Sequence, residues 1–84
     1  MHVEFLGIPR ERTGVSDLTI EAETLGQVLD ALAARFPGLR ELVTEGRLHP
    51  SLAISLNADM FIYDPATRFT SGDRLLILSA DAGG

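Results

Sequence analysis

Cysteine is absent from the 84 residues. That excludes disulfides, thiolate zinc sites and a cysteine nucleophile. Lysine is absent too. The seven basic residues are Arg10, Arg12, Arg35, Arg40, Arg47, Arg68 and Arg74, although Lys is ordinarily among the commonest residues. Codon bias in a GC-rich genome produces such a composition. So would a chain that carries an activated acyl group and benefits from offering it no nucleophilic amine. Histidine is limited to His2 and His49, far apart in the chain. No His–carboxylate cluster stands at metal-binding spacing, and His49 before Pro50 reads as a loop or strand-edge residue. No run of about 18 apolar residues occurs, so no membrane-spanning helix is expected. The N-terminus lacks the charged and then apolar pattern of a signal peptide, and a cytoplasmic domain is the default expectation. Positive charge is scarce: seven basic against 12 acidic residues give a net charge of −5. This balance argues against nucleic acid or anionic membrane as the main partner and suits a partner with a basic groove.

The length allows a single domain, which should bury about 60–65% of the surface its unfolded chain exposes. Stability must come from packing, and the 45% apolar content is sufficient for it. Val3 to Ile8 reads as a strand ended by Pro9, with Val3 and Phe5 on one face and Glu4 and Leu6 on the other. Arg10–Gly14 reads as a polar, exposed turn. Asp17–Glu21 alternates polar and apolar residues, and is close enough to the first strand to pair with it as a hairpin. Thr24-Leu25-Gly26-Gln27 matches a capping box, with Thr24 as N-cap and Gln27 reaching back. Leu25, Val28, Leu29, Leu32 and Phe36 then recur at helical spacing, with Gln27, Asp30 and Arg35 outside, until Pro37-Gly38 ends the helix. Leu39, Leu42 and Val43 suggest a further helical turn closed by Gly46. Leu52, Ile54 and Leu56 mark a third strand, Met60–Tyr63 a short fourth, and Arg74–Leu78 the most strand-like run in the chain. The order strand, strand, helix, strand, strand, strand predicts an α+β domain over residues 1–78. It has a mixed sheet, one main helix across it and at least one parallel pair. Residues 79–84 read as a small-residue, flexible tail.

The usual catalytic constellations are missing. The glycines are scattered as punctuation and form no phosphate loop. Ser51, Ser55 and Ser79 have no evident base beside them, and the acidic residues are dispersed. The feature with specific chemistry is the tail, Ser79-Ala80-Asp81-Ala82-Gly83-Gly84. Without Cβ atoms, Gly83 and Gly84 fit a narrow tunnel. A free α-carboxylate is ionised at neutral pH and a poor electrophile. It must be activated, for example as an acyl-adenylate, by a catalyst elsewhere. A frayed terminus is the plain alternative.

These pieces, in order, resemble the MoaD/ThiS family of ubiquitin-like sulfur carriers, which includes the small subunit of molybdopterin synthase. They are the first strand with Pro9-Arg10-Glu11-Arg12-Thr13-Gly14, the helix Thr24–Phe36 with Pro37-Gly38-Leu39, and Gly46-Arg47-Leu48-His49. Then come Leu56-Asn57, Ser71-Gly72-Asp73 with a hydrophobic strand, and Ala82-Gly83-Gly84. The resemblance spans essentially the whole chain and implies a β-grasp fold and a non-catalytic carrier. It implies that an E1-like enzyme adenylates Gly84 with ATP and that a sulfur donor system converts it to a thiocarboxylate. An acceptor enzyme, such as the large subunit of molybdopterin synthase, then takes the sulfur. Ala82 and Gly83 would let the tail enter the partner's active site, with no permanently bound cofactor and no metal. By position in the family, Leu6, Met60, Leu76 and Leu78 would supply an apolar partner-binding patch on the open face of the sheet. Strand parity agrees in part: if Leu75 and Ile77 face the helix, Leu76 and Leu78 face away, exposed or covered by some other element.

The chain departs from many family members where Ser79-Ala80-Asp81 stands in place of prolines. Molybdopterin is the leading pathway and cysteine synthesis its nearest alternative, with thiamine or tRNA thiolation further off. Two other readings keep different chemistry. A ubiquitin-like modifier would join Gly84 to Lys residues of targets, and an interaction domain would use the Leu76/Leu78 face with an idle tail.

Overall fold

A computed structural model describes residues 1–44 and 47–80. Gly46 and the tail residues Ala82, Gly83 and Gly84 lie outside the described residues. The chain runs β1 (His2–Phe5), α1 (Ile8–Thr13), β2 (Asp17–Thr19) and α2 (Leu25–Arg35), then a 3-10 helix (Pro37–Leu42). It continues through β3 (Val43–Thr44), β4 (Arg47–Leu48), β5 (Leu52–Leu56), β6 (Met60–Phe61) and β7 (Arg74–Ser79). The main sheet has the order β2-β1-β7-β5-β6, and β3 and β4 form a small separate hairpin. The expected hairpin of β1 and β2 is antiparallel with Val3 opposite Leu18. The expected parallel pair is β1 with β7, Val3 opposite Leu75 and Phe5 opposite Ile77.

Helix α2 forms where its spacing predicts it. Leu25, Val28, Leu29 and Leu32 are buried against Val3, Phe5, Ile54, Leu75 and Ile77 of the sheet. Each such side chain contributes roughly 1.5–3 kcal/mol by leaving water. Phe36, the C-cap, packs edge-to-face on Phe5 with ring centroids 6.3 Å apart. At the other end, the Thr24 hydroxyl accepts from Gln27 N–H at 3.3 Å. The reciprocal half of the box is shifted by one residue: the Gln27 amide oxygen accepts from Glu23 N–H at 2.8 Å. The carbonyls of Thr67 and Pro65 accept from Leu25 and Gly26 N–H. The first donors of the helix are thereby satisfied by a neighbouring loop.

Three stretches differ from the sequence expectation. The first strand stops at Phe5, and Ile8–Thr13 is a helix, not a strand end and turn. Pro9 sits in its first turn, where a proline loses no helical hydrogen bond, and Gly14 caps its C-terminus. Arg12 is a fastener: its guanidinium pairs with Glu41 at 2.7 Å and donates to the Gly38 carbonyl at 3.2 Å. Gly38 permits this approach, because a Cβ there would lie 2.7 Å from the Arg12 carbonyl oxygen. The second stretch is Pro37–Leu42, which is 3-10, with Val43 leaving it to pair with Leu48. The third is β7, which extends one residue past Leu78 and takes in Ser79.

Candidate functional site

The expected site residues gather around the last strand: the tail follows its end in sequence, and Leu76 and Leu78 lie on it. Its start is held by a polar network. Asp73 accepts from Thr70 N–H at 2.8 Å and from the Asn57 side-chain amide at 2.9 Å. Asn57 also accepts from Arg74 N–H and donates its own N–H to the Arg74 carbonyl, each at 2.8 Å. The bond from Thr70 N–H, then that from Asn57, holds the Asp73 carboxyl below its ordinary value of 3.8. The motif residues Asn57 and Ser71-Gly72-Asp73 therefore set where β7 begins.

The end of β7 is held differently. Ser79 is only 7% exposed and accepts from Ile8 N–H at 2.9 Å, which gives α1 its N-terminal partner. Ala80 N–H donates to the Ser51 carbonyl at 2.7 Å. Ser79 is thus a buried cap of another helix, and residue 79 belongs to the sheet. Beyond Ala80 four residues remain, with a reach of about 14 Å. Beside Ala80 lies an apolar groove of about 480 Å³, lined among others by Leu25, Leu29, Leu52, Phe61 and Tyr63. Ser51 at this corner is tied to His49, whose Nδ1 lies 2.9 Å from the Ser51 hydroxyl and accepts its N–H at 3.0 Å. His49 is therefore a loop residue holding its own turn. Among the described residues, no group of three or more His, Cys, Asp or Glu could hold a metal. Among the same residues, no helix is long and apolar enough to cross a membrane.

The cross-strand register sorts the patch. Leu75, Ile77 and Ser79 point to the helix side and are buried, so Leu76 and Leu78 point to the open face, where they are half-buried. Glu4 and Ser55 flank Leu76, and Ala53 lies opposite Leu78. Leu6 continues the outward alternation of β1 and is 47% exposed. Met60 does not join them. It lies opposite Leu56, itself opposite buried Leu75, and so belongs to the helix-side row at the sheet's rim. The residue on the open face is Phe61, opposite Ser55 and 56% exposed. Sequence reasoning missed it because the parity of β6 depends on the turn before it. Asn57 and Ala58 both take positive φ there, and Leu56 pairs with Met60 across three intervening residues. A shift of one residue in that pairing exchanges the two faces.

An independent comparison decides the relationship: residues 3–84 match the ThiS family. The chain belongs to the ThiS family. No curated protein matches it. Among solved structures, CysO from Mycobacterium tuberculosis is 30% identical, with a TM-score of 0.76 over 94% of this chain and 97% of that one. A chain of the BexX/CysO complex from Amycolatopsis orientalis is 28% identical, with a TM-score of 0.77 over 99% and 98%. A chain of the complex of subunits 1 and 2 of the molybdopterin-converting factor from Helicobacter pylori is 26% identical, with a TM-score of 0.66 over 99% and 96%. This ThiS-family chain thus has the ubiquitin-like β-grasp fold and belongs among the ubiquitin-like sulfur carriers. Such carriers are small non-catalytic subunits.

Proposed function

We propose that this protein carries sulfur on Gly84. An E1-like enzyme adenylates the Gly84 carboxylate with ATP, and a sulfur donor system converts the adenylate to a thiocarboxylate. The thiocarboxylate sulfur is then delivered to an acceptor enzyme, with Ala82 and Gly83 as the slender segment that threads the partner. The observation that carries this reading is the match to the ThiS family, which runs through residue 84. The anchoring of β7 up to Ser79 supports it, since it fixes the point from which the last residues continue. The acceptor we favour is the large subunit of a molybdopterin synthase, supported by the likeness to the Helicobacter molybdopterin-converting factor. The higher identity to the CysO chains supports a second reading, delivery to an enzyme of cysteine synthesis.

The decisive experiment is intact mass after production alongside the native activating enzyme and sulfur donor. The expected result is the mass gain of one oxygen replaced by sulfur, lost on deletion of Gly84 while the fold persists. An unmodified carboxylate beside a demonstrably active activating enzyme overturns the proposal. Supplying the thiocarboxylate separately to the two kinds of acceptor distinguishes molybdopterin from cysteine.

The open face made by Leu6, Phe61, Leu76 and Leu78 is the surface we assign to the activating enzyme. A charge in its centre should cost most of the binding, because a buried unpaired carboxylate is strongly unfavourable. Leu78→Asp and Phe61→Asp should each weaken binding of the activating enzyme at least about tenfold, and Met60→Asp should leave it nearly unchanged. Titration calorimetry with the three variants checks this. Equal losses at Met60 and Phe61 would place the partner elsewhere.

A further inference from the structure

We infer that this chain offers no acceptor for its own activated C-terminus, so that Gly84 can be passed only to other molecules and never linked into chains of this protein. The inference rests on the carrier reading above. An acyl-adenylate is captured by thiols and amines. In capture by an amine, nitrogen bonds to the Gly84 carbonyl carbon, the bond from that carbon to the phosphate oxygen breaks, AMP leaves, and the amine proton passes to solvent. Residues 1–84 hold no Cys and no Lys. All seven cations are guanidinium groups, which stay protonated near neutral pH and are not nucleophiles there. The charge needed for contacts with other proteins is thus kept without a reactive nitrogen.

One amine remains, the α-amino group of Met1, and the fold disarms it in two ways. It donates to the Ile20 carbonyl at 3.0 Å in a half-buried position. It also lies at the wrong end of the sheet. Strands β1 and β7 are parallel with His2 opposite Arg74, so Met1 sits beside the start of β7, whereas the tail departs from its end. The six steps from Arg74 to Ala80 span about 20 Å. The four residues after Ala80 reach about 14 Å. Gly84 therefore cannot meet the amine of its own chain, and between copies that amine is held to Ile20. Two hydroxyls near the end of β7 are engaged: that of Ser79 accepts from Ile8 N–H, and that of Ser51, whose carbonyl accepts from Ala80 N–H, is bonded to His49.

The test introduces the missing nucleophile. Arg47 lines the groove beside Ala80, and Arg10 is exposed on α1, whose first N–H is bound by Ser79. Wild type, Arg47→Lys and Arg10→Lys are each incubated with the activating enzyme and ATP, without sulfur donor, at high protein concentration. Activation is followed by ATP–pyrophosphate exchange and products by intact mass and denaturing gel. Wild type should stay monomeric with its mass intact. At least one Lys variant should show an internal amide, read as loss of one water, or a covalent dimer. Covalent dimers of the wild type overturn the inference, as does clean behaviour of both Lys variants with exchange intact. Absence of exchange with all three proteins overturns the carrier reading itself, a failure distinct from either.

Discussion

The two ends of β7 are both pinned, by opposite means. At its start the fastening is polar and exposed, built from Asn57, Thr70 and Asp73. At its end it is buried and spare: one serine hydroxyl on one helix N–H, and one backbone bond from Ala80 to Ser51. Between them Leu75 and Ile77 are fully buried beneath α2. On the proposed function, the strand that leads into the tail must not slip. A slip at the start would exchange the buried and open faces along the strand. A slip at the end would change which residue stands last in the strand. The exposed network fixes register, and the buried serine fixes where the strand ends.

The sharpest way to break the second fastening is through Gly7. Its φ of 68° and ψ of −132° suit glycine alone. A Cβ there would also lie 2.5 Å from the Ser79 hydroxyl oxygen. Gly7→Ala should therefore destabilise the fold by about 3 kcal/mol, from backbone strain and overpacking together. Ser79→Ala is the milder break. It leaves the Ile8 N–H without its partner and should cost about 1–2 kcal/mol. Because the two positions touch, the double variant should lose less than the sum of the singles. Urea unfolding of the three proteins measures all of this, and strict additivity would mean that Gly7 and Ser79 act independently.

How much of this was legible follows from how each element signals itself. Helix α2 and strands β1, β5 and β7 bury one face, so their periodicity shows in Leu25–Leu32, Val3/Phe5, Leu52–Leu56 and Leu75/Ile77. Helix α1 has only six residues and one buried side chain, Pro9, too little for a period to emerge. There the proline reads equally as the end of a strand or the start of a helix. Ser79 is invisible for another reason. In sequence it is one more small polar residue before alanines and glycines. Only the return of α1 to the end of β7, 71 residues away in the chain, gives its hydroxyl a partner. Which side chains of β7 face away from the helix was legible, because parity there is counted within one strand. The same count did not carry over to β6, where parity passes through a turn with two residues at positive φ.

At the start of β7 a smaller effect is expected, because the network is exposed and water replaces what is removed. Asn57→Ala loses the bond to Asp73 and the bond from Arg74 N–H, and should cost about 1 kcal/mol. The more telling sign is local. Arg74 N–H should exchange faster with solvent while Ile77 N–H keeps its protection, because the buried row remains. If Ile77 loses protection equally, the two fastenings are one cooperative unit.

The smallest effect, and the one with a pH signature, belongs to Asp73. Its folded carboxyl titrates below 3.8 because Thr70 N–H and the Asn57 amide bind the ionised form. In the unfolded chain those donors are gone and the carboxyl takes up its proton at the ordinary value. Asp73 therefore adds stability in full above the ordinary Asp range, and that contribution is lost as pH falls from there through the lower folded value. Asp73→Asn should be less stable than wild type at neutral pH by an amount that is flat down to about pH 5. The gap should then close as acid is added. Parallel unfolding curves across pH 2–7 read the difference directly. A gap unchanged to the lowest pH would mean that the carboxyl's shape, and not its charge, holds the turn at the head of β7.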